Sequence, residues 1–225
     1  LLGDTHRGTS ERHRTIATAL EWSYQLLSES ERYIFRCLGI FAGSFTLEAA
    51  VSIIPATSDA DTASILADLV CKSLVSVDIG SSIARFRLLE ITKAFALAKL
   101  IDQSERGTLA TRLASCVTEM LRKCALGPHQ VQTARDAVHE LDNVRGILSW
   151  AFSPNGDRRL GVALAAAAVP VWLENSLLTE CVAWTTNAID TLEPGVDAER
   201  DEMLLKAAFG LAVMYTEGMT GQSRD

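Results

Sequence analysis

The side chains able to do chemistry in this 225-residue chain are scattered along it rather than grouped. Five cysteines (Cys37, Cys71, Cys116, Cys124, Cys181) and four histidines (His6, His13, His129, His139) form no C-x-x-C pair and no histidine pair at i, i+4. Structural zinc sites and disulfide frameworks need tighter spacing. Each cysteine lies among apolar neighbours, where a reduced thiol behaves as a small hydrophobe, and that usage implies a reducing, cytoplasmic compartment. No glycine is followed by lysine, so the phosphate-cradling loop G-x-x-x-x-G-K-[ST] cannot form here. Neither G-x-G-x-x-G nor the G-x-S-x-G elbow is present. The carboxylates Glu29/Glu31, Asp59/Asp61 and Glu199/Asp201/Glu202 fall at or near expected helix starts, where they complement the helix dipole and stay hydrated. Catalytic carboxylates need burial to shift their pKa values. The expectation is a chain that is not an enzyme, with no catalytic residue, metal or cofactor of its own.

The elements that carry these residues are mostly helical. Residues 1–13 are polar and read as the tail of an upstream segment, and the chain starts without Met, as a piece of a longer protein does. Leu1-Leu2-Gly3-Asp4 lacks the basic-then-apolar order of a signal peptide. A helix is expected from Arg14 to Leu27, with Ile16, Leu20, Tyr24 and Leu27 on one stripe and Ala19, Trp22 and Leu26 on the next. A helix apolar on two faces belongs between neighbours, so Trp22 is expected in the core. Ser28 with Glu31 spells a capping box for a second helix carrying Ile34, Phe35, Leu38 and Phe41, ended at Gly43. Thr46 caps a third helix, stopped by Pro55, and a fourth runs from Asp61 to Lys72. Val75, Val77 and Ile79 then alternate with polar residues, Gly80-Ser81-Ser82 turns the chain, and Ala84, Phe86 and Leu88 return. A closing helix is expected to place Ile91, Ala94, Phe95, Ala98 and Ile101 inward. Short helices, a two-stranded hairpin and a closing helix spell a winged-helix domain over residues 14–102.

After Asp102 no strand pattern returns. Leu109 to Cys124, Val131 to Phe152, Arg158 to Glu174 (kinked at Pro170), Leu178 to Leu192, and a last stretch from Ala198 carry helical periodicity, separated by Gly127-Pro128, Pro154-Asn155-Gly156 and Pro194-Gly195. The last helix is expected to turn Met203, Leu204, Ala207, Leu211 and Met214 inward. The fold class is therefore mainly α: the winged helix, then an antiparallel helical array like tetratricopeptide repeats over 103–225, truncated at its end. The longest apolar run, Val162 to Leu173, is too short to span a bilayer, so no membrane partner is expected.

Composition is that of a folded domain: 48% hydrophobic, 22% charged, net charge −7. Residues 14–102 hold eight basic side chains against ten acidic ones. The expected fourth helix carries Asp61 and Asp68 against Lys72 alone, whereas DNA affinity needs clustered Lys or Arg at phosphates. Direct DNA binding is disfavoured on that criterion. Lys72, Arg85 and Arg87 are the residues that would serve it.

Ordered blocks of this sequence also resemble a known family. They include Arg12-His13-Arg14-Thr15, Glu21-Trp22-Ser23-Tyr24, Phe41-Ala42-Gly43-Ser44-Phe45-Thr46-Leu47-Glu48-Ala49-Ala50, and Leu69-Val70-Cys71-Lys72-Ser73-Leu74-Val75. Arg87-Leu88-Leu89-Glu90, Leu141-Asp142-Asn143-Val144-Arg145 and Met214-Tyr215-Thr216-Glu217-Gly218 continue the match. The family is the STAND class of signal-transduction ATPases, including LuxR- and AfsR-like transcriptional regulators of bacteria. The resemblance implies a multidomain switch. An ADP/ATP-binding domain would lie upstream, the winged helix would dock on it, and the helical array would sense a protein or small-molecule inducer. Arg12, His13, Arg14 and Trp22 are then the candidate interdomain contacts. Related switches place a Met-His-Asp triplet after the wing. The matching Leu88, Leu89 and Glu90 offer no histidine to a phosphate, so that role is not carried over. The alternative is a DNA-binding transcription factor acting through its own wing.

Overall fold

The computed structural model describes residues 5–54, 58–80, 83–126, 134, 137–192 and 199–221, and the side chains of residues 5–14, 126 and 217–221 lie outside the described set. The chain divides into two compact units, Leu1–Leu109 and Ala110–Asp225. Among the described residues it is mainly helical, with a small two-stranded antiparallel sheet.

The first unit opens with α1 (Thr5–Gln25), then α2 (Glu29–Leu38), α3 (Leu47–Ile53) and α4 (Asp59–Cys71). The hairpin strands β1 (Ser76–Asp78) and β2 (Arg85–Arg87) and the helix α5 (Glu90–Asp102) follow. Helical backbone thus begins at Thr5, nine residues before the expected start. Residues 5–13 hold one glycine and no proline, so nothing in them breaks a helix.

Caps set the next three starts. The Ser28 Oγ accepts from the Glu31 amide at 3.3 Å while the Glu31 carboxylate accepts from the Ser28 amide at 2.8 Å. Thr46 receives the Ala49 amide at 3.1 Å, and Ser58 receives the Asp61 amide at 3.1 Å. These bonds satisfy amides that the first turn of a helix leaves without partners.

The hairpin pairs Ser76 with Arg87, Val77 with Phe86 and Asp78 with Arg85. Phe45 adds a bridge on the other edge, exchanging two 2.8 Å backbone bonds with Phe86. Phe45 stacks on Phe41 at 4.3 Å and on Phe86 at 6.0 Å, which ties the sheet to the end of α2. Val75 and Leu88 at the hairpin base are buried, but Val77 and Ile79 are exposed, because the hairpin runs out past the core.

Helix α2 is the centre of this unit, with Ile34, Phe35, Cys37 and Leu38 all buried, and it packs on α4 and α5. It ends at Leu38 rather than Gly43. A Cβ on the following Gly39 would stand 2.6 Å from the Leu97 amide and 2.9 Å from the Ala96 Cβ, so only glycine admits α5 this closely. The same approach corrects the facing of α5. Thr92, Ala96 and Leu100 are buried, while Ile91, Ala94, Ala98 and Ile101 turn outward. Small side chains face Gly39 because large ones do not fit there.

The second unit takes in most of α6 (Arg106–Leu126), then a 3₁₀ turn (Ala137–Glu140), α7 (Leu141–Ala151), α8 (Arg158–Glu174), α9 (Leu178–Asp190) and α10 (Glu199–Gly221). Expected helix positions 131–133, 135 and 136 lie outside the described residues. Val138, expected in the core, is exposed in the 3₁₀ turn. Each helix from α7 to α10 packs on the next, and α10 also reaches α8. Helix α8 is the buried one: Leu164 to Val169 and Trp172 are inside, and the helix runs through Pro170.

Among the described residues, helices end on serine in the left-handed region at Ser73, Ser104 and Ser176, with φ of 56–59°. Behind Ser73, the Leu74 amide donates to the Leu69 carbonyl at 3.0 Å and the Ser73 amide to Val70 at 2.9 Å. Leu177 to Trp172 at 2.8 Å and Ser176 to Leu173 at 3.1 Å repeat the pattern. These are the paired bonds by which a helix closes its last carbonyls, in a place that glycine usually fills.

Candidate functional site

The expected interaction residues do not converge on one place. Arg12, His13 and Arg14 sit on helical backbone of α1, and their side chains lie outside the described residues. Trp22 was expected inside and is outside, 69% exposed, with Leu26 at 85% and Ile16 at 41%. The opposite face of α1 does the packing. Tyr24 meets Phe95 edge-on at 5.6 Å and Phe35 at 5.9 Å, and Lys99 lies over the Tyr24 ring while pairing with Glu21 at 2.9 Å. Among the described residues the contacts of α1 lie on the Tyr24 side, and its second apolar stripe is exposed. Trp22 lies on an open face of α1 with Thr15, Thr18 and Ala19.

The basic residues proposed for DNA are mostly engaged within the fold. The Lys72 ammonium, at the end of α4, pairs with Glu31, the capping carboxylate of α2. That ion pair and the Ser28 amide hold the Glu31 carboxyl below its usual range. The Arg85 guanidinium donates to the Ser44 Oγ at 2.9 Å and to the Ser44 carbonyl at 3.2 Å, fixing the turn before α3 rather than standing in solvent. Arg87 is exposed on β2. The outer face of α4 shows Asp59, Asp61, Ser64, Ala67 and Asp68 to solvent. A phosphate backbone approaching this helix would meet three carboxylates.

After β2, Leu88 is buried, Leu89 is exposed without a capping bond, and Glu90 pairs with Lys93 at 2.9 Å. Lys93 also donates to the Ala42 carbonyl at 2.8 Å. This corner is a brace between α5 and the Ala42 turn.

Two charged clamps were not legible in the sequence. Arg36 grips Glu105 through two bonds of 2.9 and 3.4 Å, tying α2 to the segment after α5. Arg145 grips Glu180 at 2.8 and 2.7 Å and Asp142 at 2.8 Å, tying α7 to α9. Separations of 69 and 35 residues leave no local pattern to read. Arginine's planar fork suits such bidentate grips.

Burial raises the thiols of Cys37 to about 12 and of Cys181 to about 11, away from the thiolate form a nucleophile needs. Among the described residues, no group of three or more His, Cys, Asp or Glu could hold a metal ion, and no helix is long and apolar enough to cross a membrane.

Sequence comparison adds a relation. The chain is 35% identical over 195 residues to a protein of Mycobacterium tuberculosis named as a putative HTH-type transcriptional regulator, and to its namesake in Mycobacterium bovis. The match takes in 84% of this chain and 22% of those proteins, so the chain spans about a fifth of the length of the relatives it matches. A shorter M. tuberculosis protein, whose name states no function, is 32% identical over 54% of this chain. No family model and no solved structure matches.

Proposed function

We propose that this chain is a non-catalytic regulatory segment of a cytoplasmic transcriptional regulator, acting through protein contacts. The name carried by the 35% identical relatives supports the regulatory role. The order of helix, single bridging residue, two helices, hairpin and helix supports a winged-helix reading of the first unit. Successive packing of α7 to α10 supports a repeat-like array in the second. The observation that carries the protein-contact reading is the outer face of α4. It presents Asp59, Asp61 and Asp68, and Lys72, the basic residue that follows the helix, pairs with Glu31. Docking of this unit on an upstream ADP/ATP domain, with Trp22 as a contact, rests on the family resemblance and on the exposure of Trp22.

The relatives' name favours a second reading more directly: a DNA-binding factor using this winged helix. Arg87 on the wing is the residue best placed for it. Fluorescence anisotropy of a labelled random duplex, titrated with the chain between about 50 and 200 mM salt, separates the two. The first reading expects no saturation at low-micromolar protein and physiological salt. Saturable binding that Arg87→Glu weakens at least about tenfold would overturn it in favour of the second.

A further inference from the structure

Three helices meet at Glu105, and each is held there by a different polar group of that residue. Its amide donates to the Leu100 carbonyl at 3.3 Å, closing the last turn of α5. Its carbonyl accepts from the Leu109 amide at 3.2 Å, opening the first turn of α6. Its carboxylate takes the Arg36 guanidinium of α2 at 2.9 and 3.4 Å. The first two bonds join neighbours in sequence, so they serve the helices themselves. The third reaches across 69 residues and fixes a direction.

Among the described residues, apolar packing adds little to that grip. Asp102, Gln103 and Ser104 are exposed, and so are Arg106, Gly107 and Thr108 in the first turn of α6. A Cβ on Gly107 would meet no described neighbour within 4 Å. Leu109 is the first buried side chain of α6, and the first unit ends there. Ser104 holds φ of 58°, a left-handed setting that a side chain adopts at a cost, and its amide donates to the Ile101 carbonyl at 2.9 Å. Because Ser104 is exposed, water replaces that bond when the backbone turns.

The Arg36 side is built to hold. Its guanidinium lies 4.9 Å from the Tyr33 ring centroid, and its side chain is 15% exposed. A planar fork braced on an aromatic ring and gripping both carboxylate oxygens has one good orientation. We infer that the α5–α6 joint is a hinge and that the Arg36–Glu105 pair is its latch. Closed, the pair sets the angle between α5 and the first turn of α6. Released, Gln103 and Ser104 absorb the change in backbone angles, as element-terminal hinge residues do, and both helices stay formed.

Arg36→Gln opens the latch without altering the joint's own sequence. Amide exchange followed by NMR should then quicken at Ser104 and Glu105, exceeding any rise at Leu38 in the core of α2 by about tenfold or more. Spin labels on ketone side chains introduced at Ser30 in α2 and Thr108 in α6, both exposed, give a second reading that lost stability alone does not move. The parent should show one narrow distance, and Arg36→Gln a broad or two-peaked one. Exchange that rises equally at Ser104, Glu105 and Leu38 overturns the inference, because the pair is then a plain stabiliser. A distance in Arg36→Gln as narrow as the parent's overturns it too.

Discussion

Replacing Trp22 by alanine should cost little, and replacing Phe35 should cost much, although both are aromatic residues on helical stripes. Trp22 is 69% exposed, so about a third of its surface leaves water. For a large aromatic that is roughly 80 Å², or about 2 kcal/mol at 25 cal/mol per Å². This is a ceiling, because the unfolded chain already shields part of the ring and its own helix shields more. The expected loss for Trp22→Ala is about 1 kcal/mol or less, a shift of a few degrees in melting temperature. Phe35 is 1% exposed, between Tyr24 at 5.9 Å and Phe95 at 6.3 Å. Its removal leaves a cavity and should cost about 3–5 kcal/mol. Urea denaturation followed by far-UV circular dichroism measures both. Tryptophan emission gives an independent reading. Trp172 is fully buried and Trp150 nearly so, so Trp22→Ala should remove the most red-shifted, acrylamide-quenched component. A Trp22→Ala loss as large as that of Phe35→Ala would refute the placement of Trp22 on an open face. It would return that residue to the core.

Gly39→Ala should destabilise the first unit by about 1–3 kcal/mol, since the new methyl would stand 2.6 Å from the Leu97 amide; equilibrium unfolding of the single variant measures it. The Glu31 carboxyl is held below its usual value of 4.5 by Lys72 and the Ser28 amide, so its stabilising share is complete above that pH. That share should fade as the pH falls from about 4.5 through the folded value. A Glu31→Gln variant, compared with the parent by thermal melts from neutral to acid pH, should lose less stability over that window.

Most of the architecture was legible because caps and periods are local. Ser28 with Glu31, Thr46, and the alternation from Val75 and from Ala84 announce helices α2 and α3 and the hairpin within a few residues of their observed bounds. The serine stops at Ser73, Ser104 and Ser176 were silent, because left-handed φ belongs mostly to glycine and only the closed hydrogen-bond pairs reveal it here. Facing was the common failure. Helices α1, α5 and α10 are apolar on more than one side, so periodicity alone names several equivalent faces. The choice belongs to the neighbour. Tyr24 anchors α1 and leaves Trp22 outside, Gly39 admits Ala96 and turns Ile91 and Ile101 away, and α8 with α9 take Leu205 rather than Leu204. The clamps Arg36–Glu105 and Arg145–Glu180, and the capture of Lys72 by Glu31, join residues 69, 35 and 41 positions apart. The sequence supplied the charges and the acidic outer face of α4. Which charges neutralise each other depends on distances that exist only once the helices have packed.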